Sequence, residues 1–251
     1  MVKPKKHLGQ HFLTDENTAK KIVDGLKSDG NLIEIGPGKG VLSKYLMDRE
    51  HTNPYFLDLD SESIEYLKET YPESADRIIE ADFLKFDLTK LFPDQKFNII
   101  GNFPYNISSQ IFFKILTHRS EVGECVGMIQ KEVGERIAEK PGSKTYGILS
   151  VLLQAFYNIE YLFTVNEGVF FPPPKVKSAV IRLIRNDVKQ LDCNEDLFIQ
   201  VVKAGFNQRR KTLRNALKGF NIQTPHELLT KRAEQLTVAD FVVLTNLIQT
   251  P

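Results

Sequence analysis

The sequence predicts a Rossmann-like α/β fold followed by a small all-helical domain. Apolar strand-like runs alternate with helix-like runs between residues 31 and 116, which is typical of a doubly wound sheet. A glycine-rich loop follows the first of these strands. After residue 187 the pattern is helical only. We therefore place a domain boundary near Arg185, which divides the chain into residues 1–185 and residues 186–251.

The first strand, residues 31–35, runs into the glycine-rich loop 36–40 and then into a helical pattern. Glycines at such a turn let the backbone approach a ligand closely, and Gly36 and Gly38 are the candidates here. A nicotinamide-type fingerprint needs its third glycine where this chain has Val41, so a pyrophosphate cradle is disfavoured.

Acidic residues follow the next two strands. The strand at 54–57 leads into Asp58, about 20 residues past the loop, where Rossmann-like folds bind a ribose hydroxyl pair. Asp60 alternates to the other side of the chain and is interpreted as a helix cap. The strand at 77–81 leads into Asp82 and Phe83, a carboxylate and an aromatic ring that together can hold an adenine.

The fourth strand, residues 97–101, leads into Asn102, Phe103, Pro104 and Tyr105. The asparagine and a nearby backbone carbonyl can accept both hydrogens of an exocyclic amine, the proline restricts the turn, and the tyrosine offers a face for stacking. Alone, this segment also fits an ordinary strand-to-helix turn. With the three preceding strand ends, it indicates an adenosyl pocket beside a nucleobase amine.

Seven segments of the chain together resemble one known family. They are residues 8–13, 34–40, 102–105, 130–133, 142–147, 170–180 and 206–214. The pattern is similar to the S-adenosylmethionine-dependent rRNA adenine dimethyltransferases, and within them to the type that acts on small-subunit rRNA. The resemblance extends over residues 5–217. His11 stands where many members have Asn, and Asp58 where many have Glu.

This resemblance implies the seven-strand methyltransferase form of the Rossmann-like sheet. It implies S-adenosyl-L-methionine as methyl donor and S-adenosyl-L-homocysteine as product. The cofactor-binding positions that it implies are Gln10, His11, Leu13, Gly36, Gly38, Asp58, Asp82, Phe83 and Asn102. It further implies that two adjacent adenosines in the 3′-terminal hairpin of small-subunit rRNA each receive two methyl groups, within an assembling small subunit.

The implied catalytic residues are the segment 102–105 and an aromatic of the proline-rich loop, residues 170–175. Asn102 and the Phe103 carbonyl would accept the amine hydrogens, so that positioning replaces a general base. Phe170 would sandwich the flipped adenine together with Tyr105. Phe171 would then pack inward, although a slip of one residue reverses the two.

Positive charge is concentrated although the formal net charge is only +1. Residues 197–226 contain no Asp or Glu, and an N-terminal arm with three lysines precedes the first acid. A helix over 208–218 would place Arg210 and Arg214 on one face. The alternative is a merely solvated surface. The residues that we expect to contact RNA phosphates are Lys203, Arg209, Arg210, Lys211 and Arg214.

Other features of the sequence bear on metal and disulfide sites and on the cellular compartment. Cys125 and Cys193 are far apart, so neither a metal site nor a disulfide framework is expected. The basic N-terminus leads into no apolar segment, and no run approaches the roughly 20 apolar residues of a membrane helix. We therefore expect a cytoplasmic protein with no membrane partner, and the resemblance adds that it is a monomer.

Three other functions compete with this interpretation. Large-subunit rRNA adenine methyltransferases of the macrolide-resistance type share the catalytic segments, but the 206–214 signature argues against them. A DNA adenine methyltransferase would bring a larger target-recognition region. The third is a ribosome-assembly or transcription factor that has lost methyl transfer, which the intact cofactor positions disfavour.

Overall fold

The computed structural model describes residues 2–222 and 225–248, which form two compact units. Unit 1 consists of Met1–Gly134 and Ile159–Arg185, and unit 2 consists of Glu135–Asn158 and Asn186–Pro251. The strands, in chain order, are β1 (Phe12–Leu13), β2 (Gly30–Ile35), β3 (Thr52–Asp58), β4 (Ile78–Glu80), β5 (Phe97–Asn102), β6 (Val122–Gln130), β7 (Tyr157–Val165), β8 (Phe170–Phe171) and β9 (Ser178–Arg185).

A seven-stranded sheet with the order β4-β3-β2-β5-β6-β9-β7 dominates unit 1. The neighbours from β4 to β6 are parallel, and β9 is antiparallel to β6. A second, two-stranded sheet pairs β1 with β8. The predicted Rossmann-like α/β fold with a seven-strand sheet is therefore confirmed.

The helices, in chain order, are α1 (Glu16–Gly25), α2 (Ser43–Met47), α3 (Ser61–Thr70), α4 (Ser108–Thr117), α5 (Lys131–Ala138), α6 (Ile148–Gln154), α7 (Glu195–Asn207), α8 (Leu213–Ala216) and α9 (Val238–Asn246). Four of the helices, α1, α3, α7 and α9, begin after a residue whose side chain caps the first turn. Asp15 caps α1 by accepting a hydrogen bond from the Thr18 amide, and Asp60 caps α3 in the same way. Among the described residues, no helix has the length and apolar character needed to cross a membrane.

Parallel strands covered on both faces need nearly continuous apolar runs, and β2 and β5 have them except at the buried polar residues Glu34 and Asn98. Ile33 and Ile99 are completely buried in the middle of the sheet. Because β2, β3, β4 and β5 run in the same direction, their carboxyl ends meet at one edge. Every strand end that the sequence analysis selected therefore lies at that edge.

Unit 2 contains a segment that the sequence-based division assigned to the first domain, residues 135–158. Its helix α6 is apolar and packs against α7 and α9. The Tyr146 ring lies 6.0 Å from the Phe206 ring, centroid to centroid. The segment thus buries its apolar side chains among the C-terminal helices, which is why it clusters with them. A functional division into methyltransferase and RNA-binding domains stays a prediction.

The expected helix over residues 208–218 is wrong. Residues 208–212 form a turn in which the Lys211 amide donates to the Gln208 carbonyl, and Thr212 is extended. The short helix α8 begins only after Thr212. Arg210 and Arg214 therefore do not share a helical face.

Candidate functional site

A cavity of about 300 Å³ opens in unit 1 at the carboxyl edge of β2 to β5. This volume lies within the range of small-molecule sites. Five parts of the chain line the cavity: residues 7–12, residues 35, 36 and 38, residues 57–59, residues 81–84 and residues 102–107. The N-terminal segment thus completes a wall beside the strand ends.

Nearly all of the predicted unit 1 site residues line this cavity. They are Gln10, His11, Gly36, Gly38, Asp58, Asp82, Phe83, Asn102, Phe103, Pro104 and Tyr105. Leu13 and Phe170 do not, because both side chains are 4% exposed and belong to the hydrophobic core. The sequence predicted that Leu13 contacts the cofactor and that Phe170 contacts the target base. A strand of two residues is too short for the alternation of apolar and polar residues to show which side chain is buried.

The register of β1 with β8 explains both exceptions. Leu13 lies opposite Phe170 and Phe12 lies opposite Phe171, so the two pairs point to opposite faces. The Leu13 pair faces the core, whereas Phe171 is 59% exposed. This facing is the reverse of the one expected for Phe170 and Phe171. Which aromatic contacts the target base stays a proposal.

The glycine-rich loop has a backbone that only glycine adopts readily. Gly36 and Gly38 have φ values of +67° and +54°. A Cβ atom on Gly38 would lie 2.9 Å from the Phe12 ring. The Gly38 amide donates a hydrogen bond to Asp58 Oδ2 at 3.1 Å, which joins the loop to the end of β3. The loop therefore presents backbone, without side chains, to the cavity.

Asp58 is a buried carboxylate at the cavity wall. Its Oδ1 accepts a hydrogen bond from the Asp60 amide at 3.0 Å, and its Oδ2 accepts the one from Gly38. Burial raises the pKa of Asp58, and these amide bonds oppose that rise. Each carboxylate oxygen has a further lone pair, so the group can still accept hydrogen bonds from ligand hydroxyls.

Asp82 and Phe83 form another part of the wall. Asp82 Oδ1 accepts a hydrogen bond from the Leu84 amide at 3.0 Å and so stabilises the turn after β4. The Phe83 ring is buried, and the Lys114 ammonium lies 5.2 Å from its centroid. Burial lowers the pKa of Lys114. Sequence analysis missed Lys114, because nothing in the spacing of α4 relates it to Phe83.

The segment 102–105 is held by contacts to distant parts of unit 1. The Phe103 amide donates to the Met128 carbonyl, and the Phe103 ring is buried so tightly that a Cβ atom on Gly127 would lie 2.5 Å from it. The hydroxyls of Tyr105 and Ser178 are hydrogen-bonded at 2.6 Å, and burial raises the pKa of Tyr105. These contacts hold the turn that carries Asn102 and Tyr105 in a fixed position at the cavity wall.

His11 connects this turn to the proline-rich loop. Its ring stacks on Tyr105 with 5.6 Å between the centroids, and its Nδ1 lies 2.7 Å from the Pro172 carbonyl, to which it donates. Other residues of the N-terminal segment in the wall are His7, Leu8, Gly9 and Phe12. Leu8, Gly9 and Phe12 belong to the motif 8–13 and His7 directly precedes it, but their spacing in the sequence predicts no role for them.

The predicted phosphate-binding residues lie in unit 2 and differ in their contacts. The Arg209 guanidinium donates to the Lys144 carbonyl and, at 3.1 Å, to the Tyr146 carbonyl. It also lies 5.9 Å from the Phe206 ring centroid. All five predicted residues are exposed: Lys203, Arg209, Arg210, Lys211 and Arg214. Arg209 therefore joins two segments of unit 2.

A Rossmann-like sheet with an antiparallel β9, together with a glycine loop and acids at successive strand ends, defines the methyltransferase class of this fold. The profile of the family described as ribosomal RNA adenine dimethylase matches residues 1–250. The chain therefore belongs to the ribosomal RNA adenine dimethylase family. This confirms the resemblance drawn from the motifs and the predicted enzyme class, an rRNA adenine dimethyltransferase.

Individual relatives agree with that membership. The chain is 59% identical to the ribosomal RNA small subunit methyltransferase A of Cytophaga hutchinsonii, with 98% of each chain covered. It is 55% identical to the protein of the same name from Flavobacterium johnsoniae, with 99% of this chain and 97% of the relative covered.

Solved structures show the same fold. A dimethyladenosine transferase from Plasmodium falciparum has a TM-score of 0.78 and 27% identity, with 93% of this chain and 96% of that chain covered. The 23S rRNA methyltransferase ErmE has a TM-score of 0.69 and 23% identity, with 94% and 99% covered. The second likeness concerns the fold alone.

Proposed function

We propose that this chain uses S-adenosyl-L-methionine to dimethylate two adjacent adenosines in the 3′-terminal hairpin of small-subunit rRNA, during assembly of the small subunit. The single observation that carries the proposal is the convergence of Asp58, Asp82 and Asn102 on one cavity. In a member of the ribosomal RNA adenine dimethylase family, that arrangement suits an adenosyl cofactor beside an adenine amine. We expect a cytoplasmic monomer.

The cavity fits this cofactor chemically. Backbone without side chains at Gly36 and Gly38 gives room for a ligand to approach, and a Cβ atom at Gly38 would displace Phe12. Asp58 would hold the ribose hydroxyls, and Asp82 with Phe83 would hold the adenine. When bound, S-adenosylmethionine supplies a methyl group activated by the positive sulfur.

Asn102 and Phe103 would prepare the adenine nitrogen for attack. Its lone pair is delocalised into the ring, so the free amine is a poor nucleophile. The Asn102 side-chain nitrogen donates a hydrogen bond to the His11 carbonyl at 2.9 Å, and this contact determines the orientation of the amide oxygen. That oxygen and the Phe103 carbonyl would accept the amine hydrogens and shift the nitrogen toward a tetrahedral geometry. Positioning and exclusion of water then lower the barrier.

Aromatic side chains would hold the flipped base. Tyr105 lines the cavity and is fixed by Ser178, so its ring can stack on an adenine. Because Phe171 is exposed and pairs with the cavity residue Phe12, Phe171 is a better candidate than Phe170 for the second stacking aromatic. His11 stacks on Tyr105, so a base that uses the same ring face would have to displace the imidazole.

We favour small-subunit rRNA over large-subunit rRNA as the substrate. The relatives from Cytophaga hutchinsonii and Flavobacterium johnsoniae, which are 59% and 55% identical, both carry small-subunit methyltransferase names, whereas the 23S rRNA methyltransferase is 23% identical. The exposed side chains of Lys203, Arg210, Lys211 and Arg214 would supply phosphate contacts.

The test is methyl transfer from labelled cofactor to small ribosomal subunits that lack the modification. We expect N6,N6-dimethyladenosine at two adjacent positions after nuclease digestion and mass spectrometry. Matched reactions contain already methylated small subunits, large subunits, or duplex DNA. Label in large subunits alone would favour the macrolide-resistance type of activity, label in DNA a DNA methyltransferase, and label in none of the substrates a factor without methyl transfer.

A further inference from the structure

The position of the N-terminal arm, residues 5–12, decides the shape of the proposed cofactor pocket. Residues 7–12 of the arm line the cavity. The first part of the arm is a single short turn of 3₁₀ helix, Lys6–Leu8, without buried residues. So short a turn has little stability of its own. Contacts with the rest of unit 1 must therefore hold the arm in place.

One set of contacts is to Asp60, whose side chain is almost completely buried. The Lys5 ammonium forms an ion pair with Asp60 Oδ1. Gln10 Nε2 donates to Asp60 Oδ2 at 3.0 Å, while Gln10 Oε1 accepts from the Lys5 amide at 2.8 Å. Lys5, Gln10 and Asp60 thus form a closed set of contacts, which we call the arm latch.

Asp60 also organises the strand end on which the cofactor would rest. Its amide donates to Asp58 Oδ1 at 3.0 Å, and its carboxylate accepts from the Glu62 amide at 3.2 Å and the Ser63 hydroxyl at 3.1 Å. Although burial raises it, the pKa of Asp60 is held below its ordinary value by the bonds from Gln10, Lys5 and Ser63. The group is therefore a charged and fully bonded carboxylate.

A helix cap requires only one of these contacts. Capping uses a side-chain oxygen and the Glu62 amide, and it gives no reason for an ion pair with a residue 55 positions earlier. Gln10, a predicted cofactor residue that lines the cavity, uses its side-chain amide on Asp60 and Lys5. Both observations connect the arm with the end of β3.

We propose that Asp60 is a positioning residue, which through Lys5 and Gln10 fastens the N-terminal arm as a wall of the cofactor pocket. The inference rests on the proposed use of an adenosyl cofactor in this cavity. A ligand that needs the fastened arm binds more weakly when part of the population is open, in proportion to the closed fraction. Cofactor affinity and order in the arm are therefore coupled.

Three variants separate this role from capping. Lys5→Met removes the ion pair and leaves the cap intact. Lys6→Met makes the same chemical change on the next residue, which is exposed, and is the matched control. Asp60→Asn keeps an oxygen for the Glu62 amide but loses the charge that Lys5 pairs with. Thermal melts of all three exclude global unfolding.

The measurements are hydrogen exchange of peptides that cover residues 2–13, without cofactor, and calorimetric affinity for S-adenosylhomocysteine. For Lys5→Met and Asp60→Asn we expect faster exchange in the arm and affinity weakened by about tenfold or more, since charge-assisted hydrogen bonds are lost. Lys6→Met should behave as wild type in both measurements. The double variant Lys5→Met with Asp60→Asn should be no worse than Asp60→Asn alone.

The proposal is overturned if Lys5→Met and Lys6→Met show equal exchange, or if their cofactor affinities are equal. The second result would leave Asp60 as a cap only. A wild-type chain that binds no S-adenosylhomocysteine would refute the proposed cofactor as well, whereas normal wild-type binding with an unaffected Lys5→Met variant would refute the latch alone.

Discussion

The Asn102 side chain donates a hydrogen bond to the His11 backbone carbonyl at 2.9 Å, so the end of β5 is tied to the N-terminal arm. This contact orients the group that we assign to the adenine amine. It also joins two motifs that lie 91 residues apart in the sequence. The consequences of this arrangement can be tested residue by residue.

Asn102→Ala should lower the rate of methylation by roughly 100- to 1000-fold, because it removes an acceptor aimed at the reacting nitrogen. Binding to unmethylated small subunits should be almost unchanged, since no phosphate contact is lost. Single-turnover methylation and filter binding, with a thermal melt as control, provide the measurement. A folded variant with near-normal turnover would show that the amine is prepared by other groups.

Phe170→Ala and Phe171→Ala should affect different properties, stability and substrate binding, because the two side chains face opposite sides of β8. Phe170→Ala creates a core cavity and should lower the free energy of unfolding by about 3–5 kcal/mol. Phe171→Ala should leave stability nearly unchanged but weaken substrate binding by about 1–3 kcal/mol, the contribution of one stacked base. Urea denaturation and KM for unmethylated subunits distinguish them. Full substrate affinity in Phe171→Ala would exclude it from the base site.

The basic residues of unit 2 should separate into two groups. Replacing Arg210 and Lys211 by Ala should weaken RNA binding and flatten its dependence on log salt concentration by about 0.7–0.9 per lost contact. Arg209→Ala should mainly destabilise unit 2, since its guanidinium bonds to two backbone carbonyls. Binding across a salt series, with melts for each variant, is the measurement. Parallel log-log lines for wild type and the double variant would remove Arg210 and Lys211 from the interface.

Glu34 should make stability depend on pH. The side chain is completely buried in β2, and desolvation raises its pKa to about 8 although the Ser43 hydroxyl donates to it at 2.7 Å. Between the ordinary pKa of 4.5 and about 8, the folded chain holds a proton that the unfolded chain has lost. The free energy of unfolding should therefore fall as pH rises through this range, by about 1.4 kcal/mol for each pH step of one, with no further loss from Glu34 above it.

Glu34→Gln is the matched control, since the amide has the same shape and does not titrate. Urea denaturation of both proteins at several pH values between about 5 and 9 should show a smaller decline for Glu34→Gln. Identical pH profiles would mean that Glu34 ionises normally in the folded chain.

Sequence alone was sufficient for the fold class and for half of the residues that line the cavity. Buried parallel strands need nearly continuous apolar runs, and their carboxyl ends meet at one edge, so Asp58, Asp82 and Asn102 could be grouped from the sequence. The glycines of the loop 36–40 likewise predicted a tight turn, because few other residues adopt the positive φ that the structure shows there. Such features depend on local pattern and on chain direction.

Only the tertiary structure decided how individual side chains are used. The exposure of Phe171 depends on the register between β1 and β8. The hydrogen bonds of Arg209 are made to backbone carbonyls 63 and 65 residues earlier in the chain. Asp60 looked like a simple cap in the sequence, yet its carboxylate also holds Lys5 and Gln10. Contacts of this kind arise between segments that are distant in the chain, where neither periodicity nor spacing carries information about distance.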